Sequence, residues 1–406
     1  MKTDARGWGA FELADRHRTA LFVEQESIRQ QSGWFLRIAA WETKHRAGYH
    51  LYNDSDHAQW LVERLENLRG GSVRATVPTA LIDAIVSNLD APDESAFIRG
   101  LYLVIKPRLL AFYQETLDRA DSAANAFDVR MLRRIVPELE EQIEWARNLL
   151  DDTADGRAWA ESITRALDAA GGLSRTEAGA GTEAGAGTRK TGHAACDAPA
   201  TVKFTLPQEI VFDGRITDKP IMPHDRKMEL SFDDAVVEQF RVFFNEIYAA
   251  SMLATVVHQA FDQNAPWPMV RWFTRHFWDE VRHSQFGAVR LIELGQEPDR
   301  CDQTLYRNGV QMPFLHRICY LTLVLEKHYM PRKKPRFELY GNEGDLRSQL
   351  FADHDWSDEM NHVRNGRDWL ETLLEDDARA VSDIETETMA HLERITGKPV
   401  TSVSPF

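Results

Sequence analysis

The sequence predicts an all-α protein built from two helical bundles. Three observations carry that expectation. Apolar residues recur at three- and four-residue intervals over long segments, prolines and glycines punctuate the segment ends, and one stretch without apolar period divides the 406-residue chain. The length is about twice a common domain size of roughly 100–200 residues, so each half can bury a core of its own.

In the first half, about 1–170, helical pattern runs over Trp34–Leu68, Thr79–Leu89, Glu94–Arg119 and Val129–Leu150, which suggests a bundle with short turns. The divider, 171–203, contains TEAGAG written twice in succession, from Thr176 to Gly181 and from Thr182 to Gly187. Small residues without apolar period cannot bury a core, so this stretch reads as a flexible Gly/Ala/Thr linker. The second half, 204–406, starts within a β-branched, proline-containing stretch, Val202 to Pro223, expected to be an extended arm. Helical pattern then covers Phe232–Ala260, Pro268–Leu294, Pro313–Met330 and Asp345–Glu375. Pro268 and Pro313 stand where a first helical turn tolerates proline, Gly295 and Pro298 close the second segment, and Pro331 with Pro335 is expected to stop the third.

Composition narrows the function classes. With 48 Lys plus Arg against 63 Asp plus Glu the formal charge is −15, and the chain lacks the global basic footprint that neutralises phosphates, so no nucleic-acid partner is expected. The three cysteines, Cys196, Cys301 and Cys319, form no CxxC pair and no disulfide framework, which favours a reducing compartment. No leader-like apolar run follows the N-terminal charges and no membrane span is expected, so the expected location is the cytoplasm.

Chemistry is concentrated in the second half. Asp279-Glu280-Val281-Arg282-His283 and Asp358-Glu359-Met360-Asn361-His362 are two copies of one pattern, each a Glu-x-x-His. Positions i and i+3 share a helix face, so Glu and His at that spacing can reach one metal as oxygen and nitrogen ligands. Glu246 precedes Glu280 by 34 residues and Glu326 precedes Glu359 by 33, each separation being one helix, a turn and part of the next antiparallel helix. Four helices then supply Glu, Glu-x-x-His, Glu and Glu-x-x-His, among apolar neighbours such as Phe243, Phe244, Phe277, Val281 and Leu325. Unpaired carboxylates in such surroundings are costly, and a metal removes the conflict.

On these residues the second half, over about 232–376, resembles the ferritin-like di-iron carboxylate superfamily, whose four-helix bundle carries this ligand set. The resemblance implies metal ligands at Glu246, Glu280, His283, Glu326, Glu359 and His362, with Asp279 and Asp358 hydrogen-bonding the ligand imidazoles from outside. It implies two iron ions, with manganese or a mixed pair as alternatives, O2 as co-substrate, an external electron donor and a small organic substrate. The expected activity is that of a non-haem di-iron oxygenase or oxidase; a ferroxidase or metal-handling protein without an organic substrate is the alternative.

Departures from better-known members narrow this expectation. Gly287 stands one turn after His283, where radical-generating ribonucleotide reductase subunits carry tyrosine, and Met330 stands one turn after Glu326, where several multicomponent monooxygenases carry threonine. Asp355, next to His354, occupies the place of an extra ligand histidine in arylamine N-oxygenases; it reads as a solvated or capping residue, with a further ligand as the alternative. The basic run Arg332, Lys333, Lys334 and Arg336 reads as a positive helix C-terminus complementing its dipole, with reception of an anionic substrate as the alternative.

In the first half, Glu42 with His45, Asp56, and the pair Glu138 and Glu141 read as remnants of a duplicated ferritin-like unit, with a second metal site as the alternative. His50, His57, His258 and His328 read as ordinary histidines, His57 and His258 being candidates to line a cavity. The half is left with three candidate roles: shaping a substrate tunnel, docking a partner, or forming a homodimer.

Overall fold

A computed structural model describes residues 7–71, 77–151, 154–173, 203–211, 213–222, 224–227 and 229–397; most of the expected linker therefore lies outside the described residues. The apolar periodicity closes into helix, and the protein is all-α. Its described strands are the two-residue pieces Thr217–Asp218 and Arg300–Cys301, which pair in parallel. The chain divides into two compact units: Met1–Trp34 with His50–Thr205, and Phe35–Tyr49 with Leu206–Phe406. The expected boundary near 204 falls close to this division, while residues 35–49 count with the second unit.

In the first unit the helices are α1 (Ala10–Trp34), α2 (Trp41–Glu66, from His50 onward), α3 (Thr79–Val86), α4 (Glu94–Ile98), α5 (Lys106–Arg119), α6 (Ala126–Leu149) and α7 (Ala154–Ala169), with a π-helical stretch, Arg99–Ile105, leading into α5. Helix α1 is missing from the sequence reading because polar residues interrupt its buried face: His17, Glu24, Ser27, Gln30 and Gln31 lie inside beside Leu13, Leu21, Val23 and Ile28. The expected helix Trp34–Leu68 is interrupted at residues 35–40.

The second unit contains α8 (His224–Lys227), α9 (Phe232–Asn245), α10 (Ile247–Asp262), α11 (Trp267–Glu293), α12 (Thr304–Val310) and α13 (Phe314–Cys319). A π-helical stretch, Tyr320–Glu326, then leads into α14 (Lys327–Asn342), followed by α15 (Leu346–Leu373) and α16 (Val381–Thr396). Helix α11 packs on α9 and α10, and α15 packs on α14 and the π stretch. Among the described residues the arm, from Lys203 to Met222, is free of helix.

Two expectations need correction here. The segment Phe232–Ala260 is two helices broken at Glu246, whose amide is bonded three residues back, to Phe243, in a tightened turn. Pro331 and Pro335 do not stop the third helix: α14 continues through both to Asn342. Each proline removes one i→i−4 bond, and packing on α15 with the burial of Lys333 and Tyr340 holds the helix beyond them. The basic run therefore lies in mid-helix and caps no C-terminus. By length and composition Phe232–Asp262 is apolar enough to cross a membrane, unlike the sequence reading, but 83% of that window is buried within the protein.

Gly287 has a structural reason. A Cβ there would collide with the backbone of Phe244, and Ser284 Oγ donates to the Phe244 carbonyl at 2.8 Å, so α11 and α9 meet backbone to backbone one turn beyond His283. Gly366, one turn beyond His362, is likewise closed in by Thr322 of the π stretch. Because the obstacle is backbone, Gly287→Ala is expected to destabilise the second unit by at least ~1–3 kcal/mol. Urea unfolding followed by circular dichroism measures this; a loss below ~0.5 kcal/mol would show that the crossing relaxes freely.

Candidate metal centre

The six residues singled out from sequence converge in the second unit. Glu246 sits at the break between α9 and α10, Glu280 and His283 on α11, Glu326 at the end of the π stretch, and Glu359 and His362 on α15. Two donor groups form, His276, Glu280, Glu326 and His362 in one, and Glu246, His283, Asp355 and Glu359 in the other, the ligand atoms of each lying within 4.8 Å of one another.

Glu280, a member of the first group, also faces the second. Its Oε1 lies 3.4 Å from His276 Nε2 and 3.4 Å from His362 Nδ1, whereas its Oε2 faces His283 Nδ1 at 3.8 Å. One carboxylate thus turns an oxygen toward each group. The outer imidazole nitrogens are held crosswise: His283 Nε2 meets Asp358 at 3.1 Å and His362 Nε2 meets Asp279 at 3.4 Å, so each aspartate orients the histidine of the other helix. Arg282 donates to Asp279 at 2.7 Å and also to Asp358, tying the two together. Such outer partners fix the ring orientation of a metal-binding histidine.

Sequence reasoning missed His276 and misplaced Asp355. Both are fully buried one helical turn before a Glu-x-x-His, whereas His354 points outward. The ring of His276 stacks on His362 with centroids 3.6 Å apart, and His276 Nε2 lies 2.9 Å from Glu326 Oε1. Asp355 is no cap: both its oxygens accept from Lys333 Nζ at 2.8 Å. A signal for both was available, since α11 reads His276-x-x-x-Glu280-x-x-His283-x-x-x-Gly287 and α15 reads Asp355-x-x-x-Glu359-x-x-His362-x-x-x-Gly366.

The electrostatics call for cations. Burial pushes the Glu246 carboxyl up to about 8, Glu280 and Asp355 adding to the effect against His283. Burial likewise lifts Glu359 to about 7, with Glu326 and Asp355 nearby and the Lys333 charge opposing. His362 is raised to about 10 despite its burial, because Glu326, Asp279 and Glu280 surround it. The six residues also present six buried atoms outside any well-aligned hydrogen bond, Glu246 Oε2, Glu280 Oε1, His283 Nδ1, Glu326 Oε2, Glu359 Oε2 and His362 Nδ1, of which His283 Nδ1 faces Glu246 Oε2 at 3.2 Å and His362 Nδ1 faces Glu280 Oε1 at 3.4 Å. Buried polar atoms are rarely left unpaired, and a set gathered at one point fits divalent ions with mixed oxygen and nitrogen ligands.

Lys333 is the one buried lysine in this centre among the described residues, 3.0 Å from Glu359 Oε1 as well as against Asp355. Its ammonium would share those carboxylates with a cation held by the Glu246 group. Lys333→Met is therefore expected to raise divalent-metal affinity at that group by about tenfold or more. Competition titration with a fluorescent chelator reads this; unchanged or weaker binding would show that the ammonium does not compete.

A cavity of about 120 Å3 adjoins the centre. Glu246, Glu280, Glu326 and Glu359 border it on one side, Leu305, Leu321 and Leu325 form apolar wall, and Lys227, Arg332 and Arg336 stand on the rim. The basic run thus has three destinations: Lys333 inward, Lys334 outward, and the two arginines on the cavity.

The first unit repeats this layout with different chemistry. His50, Asp54 and His57 on α2 have the spacing of His276, Glu280 and His283, and Glu138, Gln142 and Trp145 on α6 have that of Asp355, Glu359 and His362. Tyr102, within the π stretch, touches His50 (3.3 Å) and the Trp145 ring, as Glu326 touches His276 and His362. Lys106 Nζ lies 2.6 Å from Asp54 and 2.5 Å from Gln142, and is wholly buried. Glu24, Asp54 and His57 do bring three donor atoms together, but Gln31, Lys106 and Gln142 already donate to Asp54. Of the residues suspected there, Glu138 is involved, accepting from His57 Nε2 at 2.9 Å; Glu42 instead pairs with Arg215 in the second unit, and His45 packs there against Trp41 and Trp278. In comparisons with known proteins, the chain matches no family model, no curated protein and no solved structure.

Proposed function

We propose that the second unit is a ferritin-like four-helix di-metal bundle and that the protein is a non-haem di-iron, O2-dependent oxidoreductase acting on a small organic substrate. The observation that carries this reading is Glu280, one oxygen toward each of two donor groups, at the centre of six buried atoms outside any well-aligned hydrogen bond. Histidines mixed with carboxylates suit iron, and two irons held there would supply the electrons and Lewis acidity that O2 reduction requires.

The chain's own residues perform the rest. Asp279 and Asp358 fix the imidazoles, so that the donor nitrogens stay aimed inward. Phe243, Phe244, Phe277 and Val281 are fully buried and exclude water. Lys333 offsets part of the negative charge on Asp355 and Glu359. The cavity bordered by Glu246 and Glu326 gives an organic molecule a place beside the centre, which favours an oxygenase or oxidase over a ferroxidase.

Oxygen uptake by the Fe(II)-loaded chain tests this. Uptake that saturates at about two irons per chain and vanishes in Glu280→Ala is expected for a resident di-iron cofactor. Uptake that keeps pace with iron added in large excess assigns the protein to metal handling instead, and no uptake at all contradicts both readings.

A further inference from the structure

We infer that the substrate is a small organic anion, its charged head held at the cavity rim by Lys227, Arg332 and Arg336 and its apolar body directed toward Glu246 and Glu326. This inference rests on the proposed function for its chemistry and on the cavity for its geometry.

The rim is cationic and unanswered. Among the described residues none of the three cations makes a salt bridge with a carboxylate: Arg332 lies over the Tyr329 ring at 4.9 Å, Arg336 lies over Phe243 at 6.0 Å, and Lys227 has only 8% of its surface exposed. Burial, and after it the charges of Arg336 and Arg332, pushes the Lys227 ammonium down to about 7 despite Glu238 nearby. Two guanidinium charges beside a buried lysine are costly unless an anion joins them, and guanidinium pairs suit carboxylate or phosphate oxygens. The same three residues also line a second hollow, with Phe232 and Leu339, so they stand where the inner cavity meets the outer surface.

Dimensions set the class. The inner cavity measures about 120 Å3, and a dry cavity of ~150 Å3 takes a benzene-sized body. Arg332 and Arg336 follow Glu326 by six and ten residues, which separates them from it by about 9 and 15 Å along the helix. The arginine backbones are thus offset from Glu326 along the helix, and a short chain spans the gap. Leu305, Leu321 and Leu325 give that body an apolar wall.

The test is calorimetric titration of the full chain, loaded anaerobically with Fe(II), with hexanoate, hexyl phosphate and hexan-1-ol. At least one anion is expected to bind about tenfold or more tightly than the neutral alcohol, and the tighter of the two names the head group. That preference should disappear in Arg332→Met/Arg336→Met, persist in Arg332→Lys/Arg336→Lys, and weaken in Lys227→Met, a change confined to the four-residue helix α8. Alcohol binding as tight as both anions, or an anion preference that survives the double methionine change, overturns the inference. Iron content is read on the same samples. A wild-type chain without iron removes the di-iron reading, while the anion preference still decides the rim.

Discussion

Glu280→Ala is expected to take the metal content of the chain from about two ions to almost none, whereas His362→Ala leaves about one. The difference follows from position. Glu280 turns Oε1 toward His276 and His362 and Oε2 toward His283, so its loss removes a ligand from the first donor group and the carboxylate that faces His283 of the second. His362 contributes its Nδ1 to the group of His276, Glu280 and Glu326 alone. Losing even an outer partner of a ligand costs ~10–100-fold in affinity, and losing a shared ligand costs more at each position. Mass spectrometry of the metals after gel filtration, with helicity checked by circular dichroism, measures both variants. Equal metal content in the two would mean that Glu280 does not bridge.

Lys106→Met is expected to destabilise the first unit by ~3–5 kcal/mol, the cost of leaving a buried carboxylate without its cation. Lys106 and Asp54 are both fully buried, and the ammonium anchors a network that joins Asp54, Gln142, Gln31 and Tyr102. Its charge stands where the second unit gathers groups that could hold metal ions. Urea unfolding should show the loss, and Lys106→Met/Asp54→Asn should recover part of it, because the second change removes the stranded charge. A single variant as stable as the parent would mean that Asp54 finds another partner or a proton at little cost.

How far the residues alone reveal this protein depends on what each position shows. Glu280, His283, Glu359 and His362 are legible because i and i+3 spacing repeats on two helices, and Glu246 and Glu326 because of their matched separations from them. His276 and Asp355 share the same helical stripes one turn earlier, yet a lone His or Asp at i−4 carries little signal until both helices are aligned. The repeat in the first unit is obscured by its residue types, since Tyr102, Gln142 and Trp145 stand at the positions that correspond to Glu326, Glu359 and His362. Helix α1 is hidden because polar residues interrupt its inward face, and α14 because its proline defects are held by packing that no local pattern displays. Lys227 belongs to a single short turn after the arm, and only the fold brings it to Arg332 and Arg336.

Anomalous diffraction at the iron edge, from crystals grown anaerobically with Fe(II), tests the two-metal centre most directly. Two peaks are predicted in the second unit, one inside His276, Glu280, Glu326 and His362 and the other inside Glu246, His283, Asp355 and Glu359, with Glu280 between them. No peak at either group, or a single peak that leaves Glu280 unligated, would contradict it.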